Sequence, residues 1–190
     1  MKVITLYNNE KQLIKRARKG ARMAQKAIYE QHSPKMLSVC RMYIKDLQYA
    51  EDVMLRGFFK VFTKLDTFKG KGSFEGWIRR IMVREAIDFL RAEKPMQFSD
   101  DLENHNRLKA VMPDLDSETD YLQEMIDELP EGYKVVFMMA AVEGYKHKEI
   151  AEVLEISVGT SKSQLAKARK MLQKKLTKEN WKDGLEGSGK

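Results

Sequence analysis

Apolar residues recur at steps of three and four along almost all of this chain, and only four prolines interrupt its 190 residues. That period belongs to the α-helix and not to the two-residue alternation of a strand, so the fold class is read as all α. The pattern fails once. From Ala92 to about Asp120 the sequence AEKPMQFSDDLENHNRLKAVMPDLDSETD is acidic, holds two of the prolines and shows no sustained apolar face, which marks a linker. The expected organisation is therefore a helical domain over residues 1–93, a linker over 94–120, a second helical domain over 121–178 and a disordered tail over 179–190.

Four helices are predicted in the first domain. The first is capped by Asn9, with Gln12 at the capping-box position; it buries Leu13, Ile14 and Ala17 and turns Lys15, Arg16, Arg18, Lys19 and Arg22 outward. A second stretch holds Met36, Leu37, Cys40, Tyr43 and Ile44, and a third places Leu47, Ala50, Met54, Phe58, Val61, Phe62 and Leu65 on one face. The fourth follows the glycine-broken loop FKGKGS and takes Ser73 as its cap. Phe74, Trp77, Ile78, Ile81, Met82 and Phe89 point inward, and Arg79, Arg80, Arg84, Arg91 and, just beyond, Lys94 point outward. At that spacing Phe74, Trp77 and Phe89 read as core. The loop from Phe68 to Ser73 is the better place to meet an unpaired base, because a loop can shape a pocket and the inward face of a helix cannot.

The second domain is dominated by GYKHKEIAEVLEISVGTSKSQLAKARKMLQKKL, Gly144 to Leu176. Its first helix carries Ile150, Ala151 and Leu154 in a narrow seam, where the small Ala151 admits another helix closely. After the turn Glu155-Ile156-Ser157, a second helix sends Val158, Ser161, Leu165, Ala168 and Leu172 inward. Thr160, Ser163, Lys167 and Lys170 face away, flanked by Lys162, Gln164 and Ala166. Cations for phosphates beside small hydrogen-bonding groups for base edges are what a major-groove reader needs. A basic amphipathic helix alone is equally well a solvated surface; the partner helix across a tight turn shifts the reading to DNA. Two positions strain the motif. Glu155 stands where the turn favours glycine, and a non-glycine residue at positive φ costs ~1 kcal/mol. Ser161 is polar on the inward stripe, with a carbonyl one turn earlier as its expected partner.

The net charge of +7 implies anionic partners. A membrane is the weaker choice, because no apolar run approaches the ~20 residues that span a bilayer and MKVITLYNNEKQLIKRARKG has no signal-peptide core. No membrane insertion and a cytoplasmic location are expected. Cys40 is the single cysteine, and His32, His105 and His147 lie far apart, so neither a disulfide, a metal site nor any other cofactor is predicted. The scattered histidines and the lack of a Gly-rich phosphate loop also argue against an enzyme. Two basic elements on an acidic tether can engage two separated sites at once, and effective concentration then raises affinity.

These residues carry a resemblance. AEDVMLRGFFKVFTKLDTF followed by GSFEGWIRRIMVREAIDFLR is similar to domain 2, and LPEGYKVVFMMAAVEGYKHKEIAEVLEISVGTSKSQLAKARKML to domain 4, of bacterial sigma factors of the extracytoplasmic-function group. The resemblance implies a transcription initiation factor whose partners are core RNA polymerase, through its β′ coiled coil and β flap, promoter DNA and an anti-sigma factor. It implies that domain 4 reads the −35 element through Thr160, Lys162, Ser163, Gln164, Lys167 and Lys170. It implies that domain 2 captures a melted −10 base through Phe68, Lys69, Lys71, Ser73, Arg80 and Arg84, and binds polymerase through Asp52, Leu55, Arg56 and Phe59. Members of the group usually carry a Gln-Glu or Gln-Asp pair where this chain has Leu55 and Arg56, so a cation replaces the acidic group expected at the polymerase-facing surface and polymerase affinity becomes the open question. That pair favours the alternative, a sigma-like regulator that binds DNA or polymerase without initiating transcription.

Overall fold

A left-handed glycine closes the first helix. α1 (Glu10–Arg18) buries Leu13, Ile14 and Ala17. Gly20, at φ 77°, then turns the chain so that the Ala21 amide reaches Arg16 O (3.2 Å) and the Gly20 amide reaches Ala17 O (3.0 Å), a Schellman ending. Arg22 therefore begins the next helix and does not lie on the outer face of the first. The computed structural model describes residues 10–93 and 118–186, so the expected cap Asn9 lies outside the described residues.

α2 (Arg22–Tyr43) is much longer than the stretch from Met36 that spacing predicts, since Ala24, Ile28 and His32 continue its buried stripe toward the amino terminus. Pro34 obscures this in the sequence, because a proline inside a helix removes an amide donor and crowds the carbonyl four residues earlier. The helix nonetheless passes through it. α3 (Leu47–Thr63) is capped by Asp46, whose carboxylate accepts the Tyr49 amide (3.1 Å), and buries Ala50, Val53, Met54, Gly57, Phe58 and Val61. Leu47 is exposed instead of inward, while Leu65 is buried from a short 3-10 turn (Leu65–Thr67). α4 (Phe74–Glu93) starts where the Ser73 hydroxyl accepts the Gly76 amide (2.9 Å), as the cap assignment requires. Its core residues are Phe74, Ile78, Met82, Val83, Ala86 and Ile87, whereas Trp77, Ile81 and Phe89 are only half-buried.

α2, α3 and α4 pack on one another, and α1 packs on α2 and on the 3-10 turn. Gly57 permits the close approach of α3 to α4: a Cβ there would stand 2.3 Å from Met82 Sδ. One turn on, Lys60 pairs with the buried carboxylate of Glu85 across the same interface. These contacts build the first of two units, Met1–Glu93; the second is Lys94–Lys190.

In the second unit α5 (Glu118–Asp127) begins inside the span assigned to the linker. Its acidic opening suits a helix start, where unpaired amides carry partial positive charge. Residues 94–117 lie outside the described ones. α6 (Glu131–Phe137) continues into a π-helical turn (Met138–Val142), followed by α7 (His147–Leu154) and α8 (Val158–Glu186). α5, α6 and α7 each pack on α8. Leu129, Tyr133 and Ala168 form the centre of this packing, with Phe137, Met171 and Leu172 against them. Lys134 donates to Asp127 (2.6 Å), an ion pair that joins α6 to α5 with both side chains largely out of water. α8 runs through residue 178 to Glu186, so the tail expected from 179 is helical for eight residues, against the low propensity of its Asn180, Asp183 and Gly184. Residues 187–190 lie outside the described ones.

Candidate nucleic-acid interface

Local chemistry sets the angle between α7 and α8. At the start of α7 the Glu149 carboxylate accepts the Lys146 amide (2.8 Å). At its end Glu155 takes a left-handed conformation, φ 56° and ψ 41°, the strained non-glycine position that the motif foretells, and the Ile156 amide returns to Ala151 O (3.0 Å). Ser157 then caps α8, its hydroxyl accepting the Thr160 amide (2.9 Å). Ile150, Ala151, Leu154, Leu165 and Ala168 close the seam. Ser161 is 0% exposed within it and its hydroxyl is bonded to His147 Nδ1 (2.9 Å), not to a carbonyl one turn earlier. A buried hydroxyl needs a partner, and here one helix supplies it to the other.

The face that α8 leaves to solvent differs from the expected one at a decisive position. Gln164 is 0% exposed, so it belongs to the seam and cannot extend its amide to a base edge. It lies three residues after Ser161 and four before Ala168, on the stripe that α7 and α6 cover, and a wheel drawn for α8 alone does not show how wide that cover is. Lys162, Ala166, Arg169 and Lys170 are exposed, while Thr160, Ser163 and Lys167 are half-buried at the rim. Two of the rim hydroxyls make local bonds, Thr160 Oγ1 with Ser157 Oγ (2.9 Å) and Ser163 Oγ to Thr160 O (3.0 Å). Arg169 is a cation that the sequence reading missed; it lies seven residues after Lys162, two turns along the same face.

In the first unit the loop between the 3-10 turn and α4 has an aromatic base. The Phe68 ring is half-buried and lies 5.1 Å from Phe74 and 5.5 Å from Trp77, which stack at 5.8 Å. Buried His32 packs edge-on against Phe74 (5.7 Å). Lys69 and Lys71 are exposed and alternate with Gly70 (φ 71°) and Gly72 (φ 91°), and Ser73 closes the loop as the cap. Arg80 and Arg84 are exposed on α4. Trp77, counted as core from its spacing, keeps part of its ring in solvent at steps of three and seven from those two arginines. At the base of the loop Arg18 donates from Nε to Leu65 O (3.1 Å) and from Nη2 to Phe68 O.

The third group of residues is also together. Asp52, Leu55, Arg56 and Phe59 are all exposed on α3, with Leu55 at 51% and Phe59 at 71%. Leu55 and Phe59, four residues apart, share one face of α3 and together form an apolar patch that a partner could cover. Beside them a groove of about 530 Å³ runs between α2 and α3, lined by Tyr29, Pro34, Leu37, Met54 and Leu55 among others. Cys40 is buried, and that burial pushes its thiol pKa up to about 12, so it is a core residue. No helix among the described residues is long and apolar enough to cross a membrane.

Residues 28–95 match the protein family described as Sigma-70 region 2, and residues 119–172 match Sigma-70, region 4. The chain is 34% identical over 138 residues to the RNA polymerase sigma factor SigV of Bacillus subtilis, covering 73% of this chain and 82% of that protein. It is 27% identical over 179 residues to the ECF RNA polymerase sigma factor SigW of the same organism, covering 87% and 96%. Its fold is similar to that of the sigma factor RpoE solved in complex with the anti-sigma factor NepR from Bartonella quintana, with a TM-score of 0.54 at 18% identity over 80% of this chain and 96% of that one. Two helical units, one built on a helix-turn-helix, thus coincide with the two regions of one family: the chain belongs to the extracytoplasmic-function group of sigma-70 RNA polymerase sigma factors, and is a transcription initiation factor.

Proposed function

We propose that this sigma factor divides promoter reading between its two units and acts by binding alone. α8 enters the major groove of the −35 element. Lys162, Lys167, Arg169 and Lys170 neutralise phosphates, while Thr160, Ser163 and Ala166 meet base edges, and each well-made base contact discriminates by roughly 1–3 kcal/mol. The Phe68 to Ser73 loop, with Arg80 and Arg84 along α4, holds an unpaired base of the −10 element. Capture of that base offsets part of an unpairing cost of a few kcal/mol, which biases the duplex toward the melted state. The exposed Asp52, Leu55, Arg56 and Phe59 face of α3 docks on core polymerase.

The observation that carries this reading is the outward face of α8: small side chains and cations on a helix whose inner face is locked by buried Ser161 bonded to half-buried His147. A rigid reader holds each side chain in register with the bases. Because one solved protein of this fold is held by an anti-sigma factor, we assign this chain a regulatory partner of the same kind, and a cytoplasmic site of action. The test is transcription from genomic fragments with purified core polymerase, followed by sequencing of the DNA retained. Discrete transcripts starting downstream of a shared two-part motif are expected. Retention of DNA and core without transcripts would reject the initiation mechanism.

A further inference from the structure

The sequence places Arg18 among the outward cations of α1, yet its side chain is committed to the backbone of another element. Nε donates to Leu65 O (3.1 Å) and Nη2 to Phe68 O. Those two nitrogens share one edge of the planar guanidinium, so the contact is a fork that fixes the spacing of the two carbonyls. Leu65 opens the 3-10 turn and Phe68 caps it, and the Phe68 amide itself returns to Leu65 O (3.3 Å). Leu65 is 1% exposed and the Phe68 ring is held by Phe74 and Trp77. One side chain from α1 therefore pins the chain at the point where it leaves the core.

The next four residues are Lys69, Gly70, Lys71 and Gly72. Both glycines have positive φ, and a Cβ at either would meet nothing within 4 Å. Glycine at such positions leaves many backbone paths accessible. The direction of the loop is then governed by its two anchored ends, the Ser73 cap on one side and the Arg18 fork on the other.

We propose that Arg18 is a positioning residue for capture of the melted strand. By holding the Leu65 and Phe68 carbonyls it sets the direction in which Lys69 to Gly72 depart, and with it the preference of the loop for one base over another. This inference rests on the reading of that loop as the base-capturing element. The geometry of the fork, and not the charge, does the positioning; a lysine would supply the charge as a single ammonium point and could not hold both carbonyls at a set spacing.

The experiment uses holoenzyme reconstituted from the full chain and core polymerase. The probes are single-stranded oligonucleotides carrying the −10 strand of a promoter recovered by sequencing retained DNA, intact or altered at one base at a time. Arg18→Lys and Arg18→Gln are both expected to weaken the intact oligonucleotide about tenfold and to shrink the preference over altered ones to about threefold or less. Core assembly and −35 duplex binding stay as in the wild type. A lysine variant with wild-type affinity and preference would overturn the proposal, since charge would then suffice. Weaker binding with the base preference intact would overturn it as well, because general loosening of the unit gives that result. A Lys69→Ala, Lys71→Ala double variant separates the two levels. If it binds the oligonucleotide like the wild type, the loop reading itself fails; if it loses binding while both Arg18 variants keep theirs, only the positioning role fails. Should Arg18→Gln not fold, Arg18→Lys, which keeps the charge and the aliphatic stem, decides alone.

Discussion

A hydroxyl at 0% exposure inside a helix-turn-helix must find a partner, and Ser161 finds it in His147 at 2.9 Å, so the polar residue that seemed to break the inward stripe ties α7 to α8. Gln164 is its neighbour in the seam, and the two kinds of residue on α8 should respond differently to truncation. Gln164→Ala is expected to cost roughly 1–3 kcal/mol of stability, read as a lower Tm, and to leave the base preference at the −35 element unchanged. Lys162→Ala is expected to leave Tm in place and to weaken duplex binding evenly across sequences, reducing the salt slope by about one, as a titration at several salt concentrations would report. His32 couples the stability of the first unit to pH. Burial lowers its pKa below the ordinary histidine value; the Glu75 and Glu10 carboxylates oppose this and Lys35 reinforces it. The unfolded chain then takes up a proton before the folded one does, so the stability held above the ordinary histidine pKa is lost as pH falls through the lowered one. Tm should drop as pH falls below the ordinary histidine pKa of about 6.5, and His32→Gln should flatten that drop; an unchanged slope in the variant would assign the effect elsewhere.

α3 shows at the scale of one element how two faces of a helix answer to different demands. Its inner face depends on Gly57, where any side chain meets Met82 of α4. Gly57→Val is expected to cost about 2 kcal/mol through overpacking, visible as a lower denaturation midpoint with an unchanged denaturant slope. Its outer face presents Leu55 and Phe59 to water with Asp52 and Arg56 beside them. If a surface of polymerase built to meet an acidic group receives this face, Arg56→Glu should tighten the complex with core enzyme by about 1 kcal/mol, roughly fivefold. Unchanged or weaker binding in a titration would reject that orientation of the helix. The face is legible in the sequence only through the family resemblance; the structure shows Leu55 and Phe59 exposed one position off the core stripe. The amino-terminal half of α2 was not legible, because Pro34 reads as a boundary when only local rules are applied, whereas packing of Ala24, Ile28 and His32 against the rest of the unit carries the helix through it.

Over the whole molecule, the two proposed basic readers on one chain would convert two modest affinities into one strong one, provided both can engage the same DNA. Inserting about five base pairs between the two promoter elements turns one of them half a helical turn away, and promoter affinity of the holoenzyme should fall at least about tenfold. A competition assay with the two spacings measures this; equal affinities would mean that one unit supplies nearly all the binding. Period, charge and turn chemistry alone determined that the chain is helical, that it divides into two units and that the second holds a helix-turn-helix. Those signals are local, written in spacings of three and four and in single residues such as Ser73 and Glu155. Only the tertiary structure decided which residues of each helix are left for a partner. The reach of α6 and α7 over α8 withdraws Gln164 and leaves Arg169 exposed, the looser cover of α4 leaves Trp77 partly in solvent, and the proximity of α1 to the 3-10 turn ties Arg18, itself still exposed, to the base of a loop. Burial is a property of pairs of elements, and the sequence of one helix does not state how closely another will approach.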